Sequence, residues 1–376
     1  MAGIYFHIPF CKQACHYCDF HFSTSLKYRQ EMLAALENEM SLQVPYLAGA
    51  SIESIYFGGG TPSLLEADQV SRLIDAVARH FDLMPDAEIT LEANPDDLSE
   101  QNVSAWRQTP VNRFSIGIQS FFEEDLRWMN RAHSALEARD AIRRVQDSGY
   151  DNITADLIYG YPLLTDAKWE QNIDQLLAFG IPHISAYSMT VEPQTALAAF
   201  IRKGSQAPMD EEQSASQFVR LMERLDAAGY EQYEISNFAK AGQYARHNSN
   251  YWRGVPYLGI GPSAHSFNGH ARQWNVRNNA KYMQSIQQGC VPSEYEELST
   301  RDRINEYIMT ALRTVWGIDL AYVEQSFGTS CQAVLRSELQ PFVSRGEIQL
   351  VGQVATLTRA GKLVADRIAA ELFFET

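Results

Sequence analysis

The chain has 376 residues, 45% of them hydrophobic and 20% charged, which is the composition of a folded globular protein and excludes disorder along its whole length. Lys and Arg number 31 against 46 Asp and Glu, a net charge of -15. That field repels phosphate backbones and anionic lipid headgroups, so nucleic acid is not an expected partner. No apolar run reaches membrane-spanning length and the first residues lack the basic start of a signal peptide, so a cytoplasmic protein without an integral membrane segment is expected. Three of the five cysteines fall between Cys11 and Cys18, which suits metal chemistry in a reducing compartment rather than a disulfide framework.

In chain order, short apolar or β-branched runs predict strands at 3–8, 54–57, 88–93, 113–118, 152–158 and 183–188. Helical periodicity lies between them: Met32, Leu33, Leu36 and Met40 in 27–42, Val70, Leu73, Ile74 and Val77 in 67–81, and Phe218, Leu221, Met222 and Leu225 in 209–228. Six alternations of strand and helix argue for parallel strands with right-handed crossovers, two short of a closed eight-fold barrel. From about Leu298 helices dominate: 301–315 ended by Gly317, 331–343, a hairpin 348–357 bent at Gly352, and a last helix 359–372. This is a small winged-helix-like arrangement. Its acidic and basic residues nearly balance, so the electrostatic footprint of a DNA reader is missing.

The loop after the first strand carries Cys11, Cys15 and Cys18, close enough to share one metal centre. Zinc completed by His16 or His21 satisfies the spacing, as does a four-iron cluster that leaves one iron open to a small molecule. After the second strand, Gly58-Gly59-Gly60-Thr61-Pro62 allows backbone amides to approach a polar ligand closely, or simply makes a tight strand-to-helix turn. Glu92, Gln119, Arg131 and Asp156 fall at or just beyond the ends of successive strands, where βα proteins collect their chemistry. Carboxylates suit ribose hydroxyls, and an arginine suits a carboxylate.

A Cys-x3-Cys-x2-Cys loop after the first strand of a βα-repeat chain resembles the radical S-adenosylmethionine (SAM) superfamily, whose members bind a [4Fe-4S] cluster and chelate SAM on its open iron. The fold class so implied is α/β, a partial six-fold (β/α) radical SAM barrel with a small, mostly helical winged-helix-like C-terminal domain. The expected division is a core over 1–240, a haem-motif and connecting segment over 241–297, and the C-terminal domain over 298–376. Tyr5-Phe6-His7-Ile8-Pro9-Phe10-Cys11, Cys18-Asp19-Phe20, the Gly-Gly-Gly-Thr-Pro loop, Ser115-Ile116-Gly117-Ile118-Gln119-Ser120-Phe121 and Asp156-Leu157-Ile158-Tyr159-Gly160 together resemble the oxygen-independent coproporphyrinogen III oxidase family.

That resemblance implies [4Fe-4S] ligation by Cys11, Cys15 and Cys18, and SAM contacts from Tyr5, Tyr17, Gly59, Gly60, Thr61, Glu92, Gln119, Arg131 and Asp156, with Ser188 and His265 as further members. Two features bear on the branch. Phe20 stands where the oxidases carry a further cysteine, and His247-Asn248-Ser249-Asn250-Tyr251-Trp252 resembles the signature of the haem chaperone branch. The branch implies haem as ligand and acceptor haemoproteins as partners, respiratory membrane proteins among them. A neutral imidazole from His247 suits haem iron, and Tyr251 and Trp252 suit the walls of a flat macrocycle; His265 is the alternative ligand. A packed structural loop is the competing reading of the same residues. The alternative function is oxidative decarboxylation of coproporphyrinogen III propionates to protoporphyrinogen IX. Cys290 and Cys331 are isolated and receive no role.

Overall fold

A computed structural model describes residues 1–375. Six parallel strands follow one another in sequence order: β1 (Ala2–Ile8), β2 (Ile52–Gly59), β3 (Leu83–Ala93), β4 (Arg113–Gln119), β5 (Ile153–Tyr159) and β6 (His183–Ser188). Their Ile, Phe and Leu residues are buried on the helix-covered side, with Ile4, Phe6, Ile55, Phe57, Leu91, Phe114 and Ile116 each fully enclosed. Strands β2 and β3 extend beyond their expected limits, since pairing in a sheet continues past the apolar run that announces it.

The crossover helices begin where local chemistry caps them. Ala67–His80 starts with a capping box between Glu66 and Gln69 and buries Val70, Leu73, Ile74 and Val77. Ala135–Asp147 uses Ser134 and Glu137 in the same way. The first helix, Arg29–Leu42, also buries Glu39 among its apolar residues.

The sheet does not stop at six strands. Beyond β6 lie β8 (Asn237–Ala239), antiparallel to β6, and β7 (Glu231–Glu234), antiparallel to β8. On the other side, β1 pairs in parallel with β9 (Tyr257–Ile260), followed by β10 (His265–Phe267), β11 (Ala271–Asn275) and β12 (Ser293–Glu297). The sequence patterns mark no strand between 241 and 297, yet this span adds four strands to the main sheet and the helix Arg246–Trp252 packed on it. It is more than a connector.

The C-terminal part builds a second core from Ile304, Ile308, Leu312, Leu335, Leu339, Phe342 and Ile368. It holds the helices Thr300–Leu312, Leu320–Phe327 and Thr329–Ser344 and a three-stranded antiparallel sheet of β13 (Ile318–Asp319), β15 (Val354–Leu357) and β14 (Ile348–Val351). The expected last helix divides into Arg359–Lys362 and Ala365–Glu371, because Val364 between them leaves helical geometry. Arg313 ties the two cores, pairing with Glu234 at 3.2 Å and Asp366 at 2.9 Å while its guanidinium lies over the Trp252 ring. No helix among the described residues is long and apolar enough to cross a membrane.

Candidate functional site

The carboxyl ends of β1 to β6 converge on one cavity of about 1080 Å³. Cys11, Cys15, Cys18, Tyr5, Tyr17, Gly59, Gly60, Thr61, Glu92, Gln119, Arg131, Asp156, Ser188, His247, Tyr251 and His265 all line it. Trp252 does not. Its ring lies edge-on to Tyr251, with centroids 5.1 Å apart, and beneath Arg313, so it belongs to the junction of the two cores rather than to the cavity wall.

The cysteine loop is held from several sides. The Cys11 amide donates to the Ser23 carbonyl at 3.1 Å and the Cys18 amide to the Cys15 carbonyl at 3.3 Å. Arg131 donates to Cys15 Sγ at 3.5 Å, to the Tyr17 hydroxyl at 3.4 Å, to Asn94 Oδ1 at 2.7 Å and to the Gly117 carbonyl at 3.0 Å. One guanidinium thus joins the cysteine loop to β3 and β4, a task its fixed fork of donors suits. Of the candidates to complete a zinc site, His16 meets the Trp128 carbonyl through Nδ1 at 2.9 Å and His21 meets Asn279 through Nε2 at 2.7 Å.

Burial pushes the Cys11 thiol up to about 11, against a hydrogen bond with Thr61, and raises Cys18 as well. Thiols so placed ionise when a metal takes them. A cubane binds each thiolate through a different iron and so suits three thiols on an open loop. The donor set therefore fits a cluster.

The glycine loop fits against this one through backbone. A Cβ at Gly60 would stand 2.5 Å from the Phe10 carbonyl and 2.7 Å from that of Ile8. At Gly59, where φ is +100°, it would strike the His7 ring at 2.6 Å. Both positions require glycine. His7, which the sequence leaves without a role, accepts from the Tyr5 hydroxyl at Nδ1 (3.4 Å) and donates from Nε2 to the His21 carbonyl (2.8 Å).

Across the cavity stand the acids. Burial raises Glu92 to about 7, helped by nearby Asp156 and opposed by the Tyr56 hydroxyl, which donates to it at 2.7 Å. Burial likewise raises Asp156 to about 6, opposed by hydrogen bonds from Ser185 and Ser115 and by the charge of Arg113. Carboxyl groups with these values are poised to accept from, or donate to, a polar ligand near neutral pH.

His247 sits on the other wall. Its Nδ1 lies 2.9 Å from Ser54 Oγ, its backbone N–H donates to Glu88 at 2.9 Å, and the Tyr56 ring stacks on it with centroids 5.1 Å apart. Burial lowers its pKa to about 4, so the imidazole is neutral. His265 lines the same cavity beside Trp274. Ser188 lies at the rim, 2.7 Å from Ser214, and Phe20 is one of the most exposed apolar side chains, at 69%.

Sequence reasoning missed Tyr56, Asn94, Arg113, Ser54 and Glu88, all of which hold or line this site. Asn94 follows Glu92 at a strand end and carried a usable signal. The others read as ordinary strand residues, and only the pairing of strands brings them here.

A family model described as the Radical SAM superfamily matches residues 5–176, and one described as the HemN C-terminal domain matches 298–364. The heme chaperone HemW of Bacillus subtilis is 33% identical over 371 residues, covering 98% of each chain, and that of Escherichia coli is 33% identical over 381 residues, covering 99% of this chain and 97% of its own. The chain belongs to the HemW family of radical SAM proteins. Similarity also extends to a bovine mitochondrial protein, radical S-adenosyl methionine domain-containing protein 1, at 32% identity over 86% of this chain and 76% of its own. The solved structure of coproporphyrinogen III oxidase HemN from Escherichia coli superposes with a TM-score of 0.85 at 23% identity, covering all of this chain and 90% of the other. Radical SAM membership brings a [4Fe-4S] cluster and SAM as cofactors.

Proposed function

We propose that this HemW-family chain binds a [4Fe-4S] cluster through Cys11, Cys15 and Cys18, binds SAM beside it, and holds haem for delivery to acceptor haemoproteins. The observation that carries this reading is the single cavity onto which the three cysteines, the Gly59–Gly60 loop and the neutral His247 all open. Its volume of about 1080 Å³ is at the upper end of the ~300–1,000 Å³ usual for ligand sites.

Each group has a task that its surroundings support. Arg131 holds the cysteine loop and offers charge to a carboxylate. Glu92 and Asp156 accept from hydroxyl groups, and the glycine loop lets backbone amides approach an anionic or polar end of the ligand. His247 offers a neutral nitrogen to iron, and Tyr251 covers one side. The cluster and SAM, when bound, supply one-electron chemistry that the protein's own groups lack. A cytoplasmic site of action belongs to this proposal.

Haem titration of anaerobically reconstituted protein, paired with product analysis in the presence of reductant, SAM and coproporphyrinogen III, tests it. Saturable haem binding and transfer to an apo-haemoprotein, without protoporphyrinogen, is the expected result. His247→Ala is expected to weaken haem binding and leave the visible absorbance of the cluster intact. Unchanged affinity moves the ligand to His265; formation of protoporphyrinogen and carbon dioxide overturns the chaperone reading in favour of the oxidase.

A further inference from the structure

The seat of His247 is built by a row of three residues in register across neighbouring strands: Gly3 on β1 pairs with Ser54 on β2, and Ser54 pairs with Glu88 on β3. Each serves the same helix. Gly3 provides room, since a Cβ there would stand 3.0 Å from Ser54 Oγ and 3.2 Å from two atoms of the His247 ring. Glu88 accepts the backbone N–H groups of Arg246 and His247, both at 2.9 Å, in the first turn of the helix Arg246–Trp252. Arg113 lies 3.6 Å from the same carboxylate, and both side chains are buried within the sheet. Ser54 then meets Nδ1 of the ring at 2.9 Å.

The two ring nitrogens therefore differ. Nδ1 is held by a fully buried hydroxyl. Nε2 has no hydrogen-bond partner among the described residues, and His247 is one of the residues that line the cavity. When a histidine gives one nitrogen to a metal, the other must carry the proton and donate it.

We propose that Ser54 is a positioning residue that accepts the Nδ1–H of His247, fixes the ring in that tautomer before any ligand arrives, and leaves the Nε2 lone pair facing the cavity as the atom that takes haem iron. This rests on the haem-binding reading. A hydroxyl donating to Nδ1 instead would place the proton on Nε2 and make it a hydrogen-bond donor, unable to ligate until it lost that proton. The tautomer thus separates a ligand from a structural histidine.

The test uses full-length protein with 15N-labelled histidine. Nuclear magnetic resonance of the haem-free protein reads which ring nitrogen of His247 is protonated, with His247→Ala identifying the signal. Nδ1–H in the wild type and its loss in Ser54→Ala are expected; Nε2–H in the wild type overturns the proposal. In ferric haem titrations, Ser54→Ala is expected to weaken binding about tenfold and to shift the Soret band while cluster absorbance and thermal midpoint are retained. If His247→Ala loses haem but Ser54→Ala matches the wild type in affinity and spectrum, the positioning role is wrong and the haem reading stands. If His247→Ala binds haem as the wild type does, the ligand assignment fails and takes the positioning role with it.

Discussion

Arg131 and Cys15 are separated by 116 residues of chain and meet at 3.5 Å, guanidinium nitrogen to sulfur. The same guanidinium reaches Asn94 and the Gly117 carbonyl, so a single side chain holds the cysteine loop at the ends of β3 and β4. Arg131→Ala is expected to lower SAM affinity by at least about tenfold, the consequence of losing one charged hydrogen bond of ~1.5–3 kcal/mol. Equilibrium SAM binding to reconstituted protein checks this, with iron and sulfide content measured alongside. SAM affinity equal to the wild type at equal cluster content would confine Arg131 to a structural role.

Cys15→Ser should abolish the visible absorbance of the cluster without unfolding the protein. The strands bury their apolar residues against helices and owe none of that burial to metal. Far-ultraviolet circular dichroism and a thermal melt would show a wild-type fold. Global unfolding of this variant would mean that the cluster is part of the core.

Gly60→Ala places a methyl group against two backbone carbonyls, neither of which can rotate away. A destabilisation of ~1–3 kcal/mol is expected for such overpacking, together with loss of SAM binding because the glycine and cysteine loops are forced apart. Urea unfolding gives the first quantity and equilibrium binding the second.

Glu39 makes a pH prediction away from the cavity. It is fully buried in the first helix, accepting from the Gly261 amide at 2.8 Å and from Asn275 and the Tyr282 hydroxyl at 2.5 Å each. Burial raises its pKa from 4.5 to about 7, against those hydrogen bonds. Between these values the folded chain holds the proton that the unfolded chain has released, so this group's contribution favours folding most below about 4.5. The contribution declines as pH rises towards 7 and is level above it, a change on the order of 3 kcal/mol. Glu39→Gln has no such titration. The stability difference, wild type minus variant, measured by urea unfolding should therefore fall between about pH 4.5 and about pH 7; a constant difference would show that Glu39 stays ionised.

Trp252→Phe separates structure from binding. The indole packs under Arg313 and against Tyr251, and a cation–π contact of this kind is worth ~0.5–2 kcal/mol. A loss of about 1 kcal/mol in stability is expected, with haem affinity unchanged. Weaker haem binding at unchanged stability would return Trp252 to the binding site.

The patterns that depend only on near neighbours were legible in the chain itself. Alternating apolar strands and amphipathic helices announced the six parallel strands, since each period is set by local backbone geometry. The spacing of Cys11, Cys15 and Cys18 announced a cluster of thiols, which the folded chain sets in the wall of one cavity, because three side chains on one short loop need no distant partner to meet. Strand β12 left no such mark: all five of its residues are exposed, so no buried face imposes a pattern, and its place follows from pairing with β11. Trp252 reads as a partner of His247 because the two share a short motif. In the folded chain, helix geometry turns one toward the cavity and the other toward Arg313. Ser54 and His247 stand 193 residues apart, and no local preference connects them. Their contact exists because the register of β1, β2 and β3 sets Gly3, Ser54 and Glu88 in one row, and register is a property of paired strands rather than of any one segment.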